Sequence, residues 1–557
     1  MKVLVKGVGD VNLTKSDFVA SGGEGEIYAR GGFAYKIYHK PERMIPVAKI
    51  GELSVIDDQT VIRPQQIILD KNDDPIGYTM RYVKNTHSLC QLFTKAFRDR
   101  NGVTHDIILD LVRGMQKTVE HIHSKRILIV DLNEMNFLVD SSFKETYFID
   151  VDSYQTKSFP ATAIMESIRD RHSKTFSSGT DWFSFAVVSF QLFIGIHPYK
   201  GKHPNVTNIE DRMLKNISVF NKDVGIPKVC YPFDVIPPVY LDWYKAVLDR
   251  GERIQPPFDL QARIAITHTI KQTLGGDKFD IKQLFHFGEL ITAYYNNCGT
   301  TVVTTETRHH SDKMSYPRAG SVSKIAFTRK MNKIVEGYLV AGILKFYNLT
   351  DKEEVGGSQI AATSLMSYQG RMYALSGDNV LELDFIEMSQ NVVASTRVAV
   401  GVFEKTTKMF EGVVVQNLLG SYFISIFPAV NTSYQIKIPE LQEYKIVDAK
   451  FDGRVLFVIG SKKGVYDKLI FRFNRDYDGY DVRVDKDITT LDINFVMLDH
   501  GVVASINDRE KLELFPIVGP DVKVIDSDAI SSDMKLYKNG TQVLFARDNE
   551  LFSLKMK

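Results

Sequence analysis

Four groups of residues in this chain have types and spacings that could do chemistry. The first is Ala20-Ser21-Gly22-Gly23-Glu24-Gly25-Glu26-Ile27-Tyr28. A hairpin without Cβ atoms lets backbone N–H groups come close to an anionic oxygen, so these glycines form a candidate phosphate cradle. The second is Lys36, which closes Ala34-Tyr35-Lys36 eleven residues after Gly25 and offers a compact positive charge beside that cradle. The third is Asp131 with Asn136, a carboxylate and an amide five residues apart. The fourth is Asp150, the acid that ends Tyr147-Phe148-Ile149 and precedes Val151-Asp152. Each is weak alone. Glycine clusters are mostly ordinary turns, a lone strand lysine is mostly solvated, and Asp-x4-Asn is common by chance.

Taken together, in this order and spacing, the four groups resemble a protein kinase. The glycine segment aligns as G-x-G-x-x-G with Ala20 in the first glycine place and Gly22 and Gly25 in the others, and Ala34 and Lys36 match the VAIK strand. The stretch from His123-Ser124-Lys125 to Asp140 resembles the end of the long kinase helix and the loop H-R-D-L-x-x-x-N. Asp150 falls in the D-F-G aspartate's place. Met165-Glu166 lies near the A-P-E acid, and Glu252-Arg253 lies where the arginine that pairs with that acid is expected. Thr180-Asp181-Trp182 resembles the start of the buried helix whose aspartate braces the catalytic loop, and Gly195-Ile196-His197-Pro198-Tyr199 its exit. The match is nearest an atypical bacterial-type protein-kinase family with a D-L-N-x-x-N loop and a D-V-D-S-[FY]-Q segment, here residues 131–136 and 150–155. It covers about residues 18–260.

The resemblance implies ATP and Mg²⁺ as cofactors. It places Gly22, Gly23, Gly25, Ile27, Ala34, Lys36, Glu52 and Met80 around the nucleotide, with Glu52, sixteen residues beyond Lys36, favoured over Glu42, six beyond it, as the helix acid that pairs with Lys36. Lys36 and Asp131 are then the catalytic pair, Asp131 accepting the hydrogen bond of the substrate hydroxyl, and Asn136 and Asp150 hold the metal.

The sequence departs from the family pattern in the loops themselves. Ile129 and Val130 replace the His-Arg pair, so activation by loop phosphorylation is not expected. Asn133 replaces the lysine that steadies the γ-phosphate and removes a positive charge from the transition state. Asp152 replaces the D-F-G glycine and adds a second carboxylate. The segment from Asp150 to Glu166 is short for a peptide platform. Thr156, Ser158 and Thr162 are possible phosphosites, though ordinary loop polarity is the plainer reading. One reading is thus a protein kinase, Ser/Thr-directed, acting on a protein hydroxyl. Another is a pseudokinase, a nucleotide-binding scaffold without phosphoryl transfer. A third is a purely structural interaction protein.

The elements that must position these residues fall into three textures. Residues 1–95 read as strands at 3–5, 25–28, 34–38, 61–69 and 76–83, with a turn at Lys71-Asn72-Asp73-Asp74-Pro75 and a helical stretch over 41–53. Helical spacing follows over 106–123, 181–193, 240–248 and 259–274. From about 300 onward, glycine followed by an apolar run recurs at Gly337, Gly370, Gly420, Gly453, Gly501 and Gly540, about 40 residues apart, the period of a β-propeller blade. The expected fold class is α+β: a bilobal kinase-like fold followed by an all-β domain, a degenerate propeller of about six blades, with another all-β sandwich or barrel as the alternative. The domains are an N-lobe at 1–83, a C-lobe at 84–275, a connector at 276–320 and the β-domain at 321–557, whose loops would bind a protein substrate or partner. In the connector, His309-His310 reads as solvent-exposed.

Composition sets the outer bounds. The 557 residues are too many for one core. With 69 basic and 68 acidic residues the net charge is +1, which gives no electrostatic case for nucleic acid or an anionic membrane. Cys90, Cys230 and Cys298 are too scattered for a disulfide framework or a zinc knuckle, which fits a reducing, cytoplasmic compartment. The first residues do not read as a signal peptide, and no apolar run is long enough to span a bilayer.

Overall fold

The computed structural model describes residues 1–161, 163–257, 278–311, 314–330, 332–389, 391–519 and 521–557. The expected helix over 259–274 and the candidate phosphosite at 162 lie outside them.

Residues 2–81 form one seven-stranded antiparallel sheet. Its strands are β1 (Lys2–Val5), β2 (Gly9–Asn12), β3 (Phe18–Ser21), β4 (Gly25–Arg30), β5 (Phe33–Tyr38), β6 (Ile67–Leu69) and β7 (Pro75–Arg81), in the spatial order β2-β1-β6-β7-β5-β4-β3. Alternation along β5 divides its side chains between two faces. Tyr35 joins Val3, Val5 and Ile68 in a small core on one face, while Tyr38 on the other packs with Tyr78 and Ile50. Ile50 belongs to α1 (Val47–Leu53). Pro46 breaks the expected helix over 41–53, because it cannot donate a helical hydrogen bond, so only a 3-10 turn at Pro41–Arg43 precedes α1. Pro64 likewise keeps residues 61–66 out of the sheet, and Val61 makes only an isolated bridge to Phe148.

Among the described residues five α-helices follow: α2 (Lys95–Asn101), α3 (His105–Ser124), α4 (Ser178–Ile194), α5 (Ile209–Leu214) and α6 (Pro238–Leu248). Thr104 caps α3 by accepting from the Ile107 amide, and Ser177 caps α4 by accepting from Thr180. Almost every side chain of α4 is buried, which explains its unbroken apolar run. A small sheet of β8 (Thr86–Ser88), β9 (Phe137–Asp140) and β10 (Thr146–Phe148) lies between the strand-rich and helical parts.

From residue 279 onward the described chain is built of strands. They make seven four-stranded antiparallel sheets rather than six. Six are consecutive, over 291–317, 324–354, 364–401, 407–437, 445–485 and 495–525. In the seventh, the last three strands of the chain are joined by β11 (Phe279–His286), which pairs with Glu550–Met556. Residues 279–317, expected as a connector, are therefore five strands. Their apolar alternation is erased by buried polar side chains. His309, expected in solvent, is fully buried; its Nδ1 lies 2.8 Å from the Thr304 hydroxyl and its Nε2 3.1 Å from Glu336. Gly370, Gly420, Gly453, Gly501 and Gly540 have positive φ in turns. Gly337 instead lies inside the strand Ile334–Val340, where a Cβ would meet the Met372 sulfur at 2.5 Å.

The two halves share a core. One apolar cluster runs from Leu53, Phe93 and Phe185 into Val447, Phe457, Ile470 and Phe515. Among the described residues no helix is long and apolar enough to cross a membrane.

Candidate functional site

The β3–β4 hairpin, β5, β7 and the loops around β9 and β10 enclose a cleft, part of a larger cavity of about 3130 Å³. Lys36 is its centre. The β5 strand aims it inward, and only 7% of its surface is exposed. Its Nζ donates to Asp152 Oδ2 at 2.7 Å, to Asp150 Oδ1 at 3.2 Å and to Glu24 Oε2 at 3.2 Å. Burial alone would push this ammonium down. Tyr78, Asp152 and Asp150 outweigh burial and hold its pKa well above the usual lysine range.

The two aspartates differ. Asp152 is buried, and burial opposes its charge; Lys36 and the Tyr38 hydroxyl, which donates to Oδ2 at 2.6 Å, outweigh that and hold it low. Its Oδ1 is buried without a hydrogen-bond partner. Asp150 sits at the open side, its side chain 43% exposed. Enclosure by the cleft walls and then the Asp152 charge push it up to about 6, against the pull of Lys36. Its backbone is left-handed, φ 60°, which swings the following turn so that both carboxylates face one ammonium.

Asp131 and Asn136 lie on the loop before β9. Asn136 Nδ2 donates to the Asp131 carbonyl at 2.9 Å and is 3.4 Å from its carboxylate. The loop is braced from below by the fully buried Asp181 of α4. That carboxylate accepts from the Ile129 and Val130 amides at 2.8 and 2.9 Å and contacts His123 Nε2 at 2.8 Å. Val130 holds φ 63°, a strained value for a β-branched residue, so the bracing fixes a backbone that would otherwise relax. Asn133 turns away from the cleft; it is buried and caps a short turn by accepting from the Met135 amide at 2.8 Å. Asp131 Oδ1 already accepts from the Met165 amide at 2.8 Å.

The C-terminal sheets reach this loop. The hairpin of strands Val455–Lys462 and Val465–Phe473 places the Tyr466 hydroxyl on the carboxylate of Glu134, both buried. Its turn residue Gly464 has φ +76° and lies so close to Met165 that a Cβ would come within 2.6 Å of the methionine Cγ and Sδ.

Two sequence expectations need correction. Glu52 does not pair with Lys36; its Oε2 accepts from the Ser158 amide at 3.2 Å. The α1 residue that reaches Asp152 is the buried Lys49, which donates to the Asp152 carbonyl at 2.7 Å. Arg253 does not pair with Glu166. It makes a two-pronged ion pair with the buried Asp170, at 2.6 and 2.7 Å, while Glu166 pairs with Arg169 and Arg171. Gly25 is constrained by its own sheet, since a Cβ there would meet the Ile37 carbonyl oxygen at 2.3 Å; Gly22 and Gly23 are exposed at the hairpin tip. Ile27, Ala34 and Met80 line the same cavity as Lys36, Asn136 and Asp150. Of the candidate phosphosites, Thr156 is buried and Ser158 exposed.

Sequence reasoning missed Tyr38, Tyr78, Lys49 and Glu24 as partners of the cleft charges. Tyr38 had a signal: two residues after Lys36 on a strand, it must share its face.

No family model and no curated protein matches this chain. Among solved structures, the Kluyveromyces lactis protein Hsv2 ("complete loop 6CD") matches over 48% of this chain and 98% of its own, at 13% identity and a TM-score of 0.31. At that score the likeness decides nothing about fold or function.

Proposed function

We propose that residues 1–257 are a bilobal protein-kinase-like domain that transfers the γ-phosphate of ATP to a protein serine or threonine hydroxyl, and that the seven C-terminal sheets are the blades of a β-propeller that engages the protein partner. The observation that carries this reading is the meeting in one cleft of Lys36 with Asp150, 114 residues apart in sequence, beside the Asp131–Asn136 loop. In this reading Lys36 holds the phosphates, the glycine tip at Gly22-Gly23 covers them, and Ile27, Ala34 and Met80 surround the base. Asp131 takes the hydroxyl proton as the oxygen bonds to the γ-phosphorus and the bond to ADP breaks.

Asp150, Asn136 and the unbonded Oδ1 of Asp152 are hard oxygen donors that suit Mg²⁺. Such an ion, bound with the nucleotide, neutralises phosphate charge. The test is transfer of labelled γ-phosphate from Mg·ATP by the full chain. Asp131→Ala should lower the signal by about a hundredfold or more; equal signal from both proteins would sink the reading.

A nucleotide-binding scaffold without transfer is the second reading, favoured by the Met165 amide on Asp131 and by Asn133 turning away from the cleft. It expects Mg·ATP to raise the melting temperature, Asp150→Asn to abolish that rise, and no phosphate to move.

A further inference from the structure

The cavity that begins at the Lys36 cleft continues to the first strands of the C-terminal sheets. Four of those strands open with a lysine at their first or second residue: Lys324 in Lys324–Phe327, Lys408 in Thr407–Met409, Lys445 in Lys445–Asp452 and Lys535 in Lys535–Asn539. All four line the cavity. They open the first strands of the second, fourth, fifth and seventh sheets, so one cavity gathers lysines that stand up to 211 residues apart in sequence.

The acids around them are largely taken. Asp448 pairs with Arg100 of α2 at 2.7 Å, Glu411 with Lys450 at 3.0 Å, Asp452 with Lys538 at 2.9 Å, and Asp99 with Lys535 at 3.8 Å. Asp492 remains; burial pushes its carboxyl up, with Lys468 and Lys535 as its nearest positive charges. Arg318 is spent on the carbonyls of Thr305, Glu306 and Ser321. Lys324, Lys408 and Lys445 have neither an ion pair nor a side-chain hydrogen bond among the described residues. Lys408 and Lys445 are exposed to the cavity and Lys324 is half-buried; enclosure by the walls, then Arg100 and Arg318, push Lys324 down to about 8, and enclosure lowers Lys408 while Lys445 repels it.

We propose that this lysine rim is a binding site for a small polyanion bearing several phosphate groups. Ammonium groups are point charges suited to phosphate oxygens. Three of them on separate sheets call for an anion with several charged groups, and the setting between the sheets and α2 favours a small molecule over a macromolecule. The site shares no residue with the Lys36 cleft, so it stands whether or not the chain transfers phosphate.

The test is titration calorimetry of the full chain with inorganic tripolyphosphate, without Mg²⁺. Wild type should bind, and Lys408→Gln/Lys445→Gln should weaken binding by about tenfold or more, from the loss of two charge-assisted contacts. Lys324→Gln should weaken it less, and Lys408→Arg should keep it. The unliganded variants, relieved of repulsion, should melt no lower than wild type, which separates lost binding from lost folding. No heat with wild type, or one affinity for wild type and both glutamine variants, overturns the site; the latter would put the anion at Lys36.

Discussion

Lys36 and Lys408 sit on strands and line the same cavity, yet their surroundings are opposite. Lys36 is met by Asp152, Asp150 and Glu24 within 3.2 Å. Among the described residues Lys408 has no carboxylate partner, and its neighbour Lys445 repels it. A lysine already held by carboxylates offers little to a bare anion, because the acids repel what the lysine attracts. Such a site suits an anion that brings its own cation, as Mg·ATP does. A rim of unpaired lysines has the opposite demand: charge of one sign, waiting for the other. One cavity thus offers two electrostatic environments, and each can be broken separately.

The largest contrast should come from removing the lysines. Lys36→Met strands buried Asp152 against Asp150, and the loss of a buried pair's partner costs about 3–5 kcal/mol. Lys408→Met removes an unpaired charge and should leave stability unchanged or raised. Urea unfolding of both variants checks this, and losses of equal size would erase the distinction.

A middle-sized effect should come from a neutral partner of the cleft loop. Tyr466→Phe leaves the buried Glu134 carboxylate without its hydroxyl, a loss of about 1–3 kcal/mol for an unsatisfied buried group. Urea midpoints of the variant and wild type measure it. No change would mean that Glu134 finds another donor.

The smallest effects, shifts of melting temperature with pH, should run in opposite directions at the two places. Asp150 is raised from 3.8 to about 6, so the native state holds its proton longer than the unfolded chain does. Its contribution to stability is present at low pH and falls as pH rises from about 4 to 6. Asp150→Asn mimics the protonated form, so its melting temperature should gain on wild type across that window. Lys324 is lowered from 10.5 to about 8, so the native state releases its proton sooner. Stability should rise from about pH 8 to 10.5, and Lys324→Gln should flatten that rise.

Much of the cleft was legible because strand alternation and loop order are local. Lys36, Asp131, Asn136 and Asp150 could be placed from their neighbours alone. Glu52 could not, because Pro46 shortens α1 and Lys49 takes the inward position. The partner of Arg253 is the buried Asp170, whose sequence context carries no motif. The strands over 291–317 were hidden because Thr304 is satisfied inside by His309, and Thr305 by Glu289, where periodicity expects apolar residues. The lysine rim is invisible in sequence, since its members align only once the sheets are superposed by strand order.

The shared apolar cluster, with Tyr466 on Glu134 and Gly464 against Met165, bears on how the chain divides. Separating the pieces on either side of 257–278 would expose parts of that cluster to water on both: Val447, Phe457 and Phe515 belong to one, Leu92, Phe93 and Phe185 to the other. Heritable change in either half is thus constrained by the other, and the two behave as one unit of selection as well as one unit of folding.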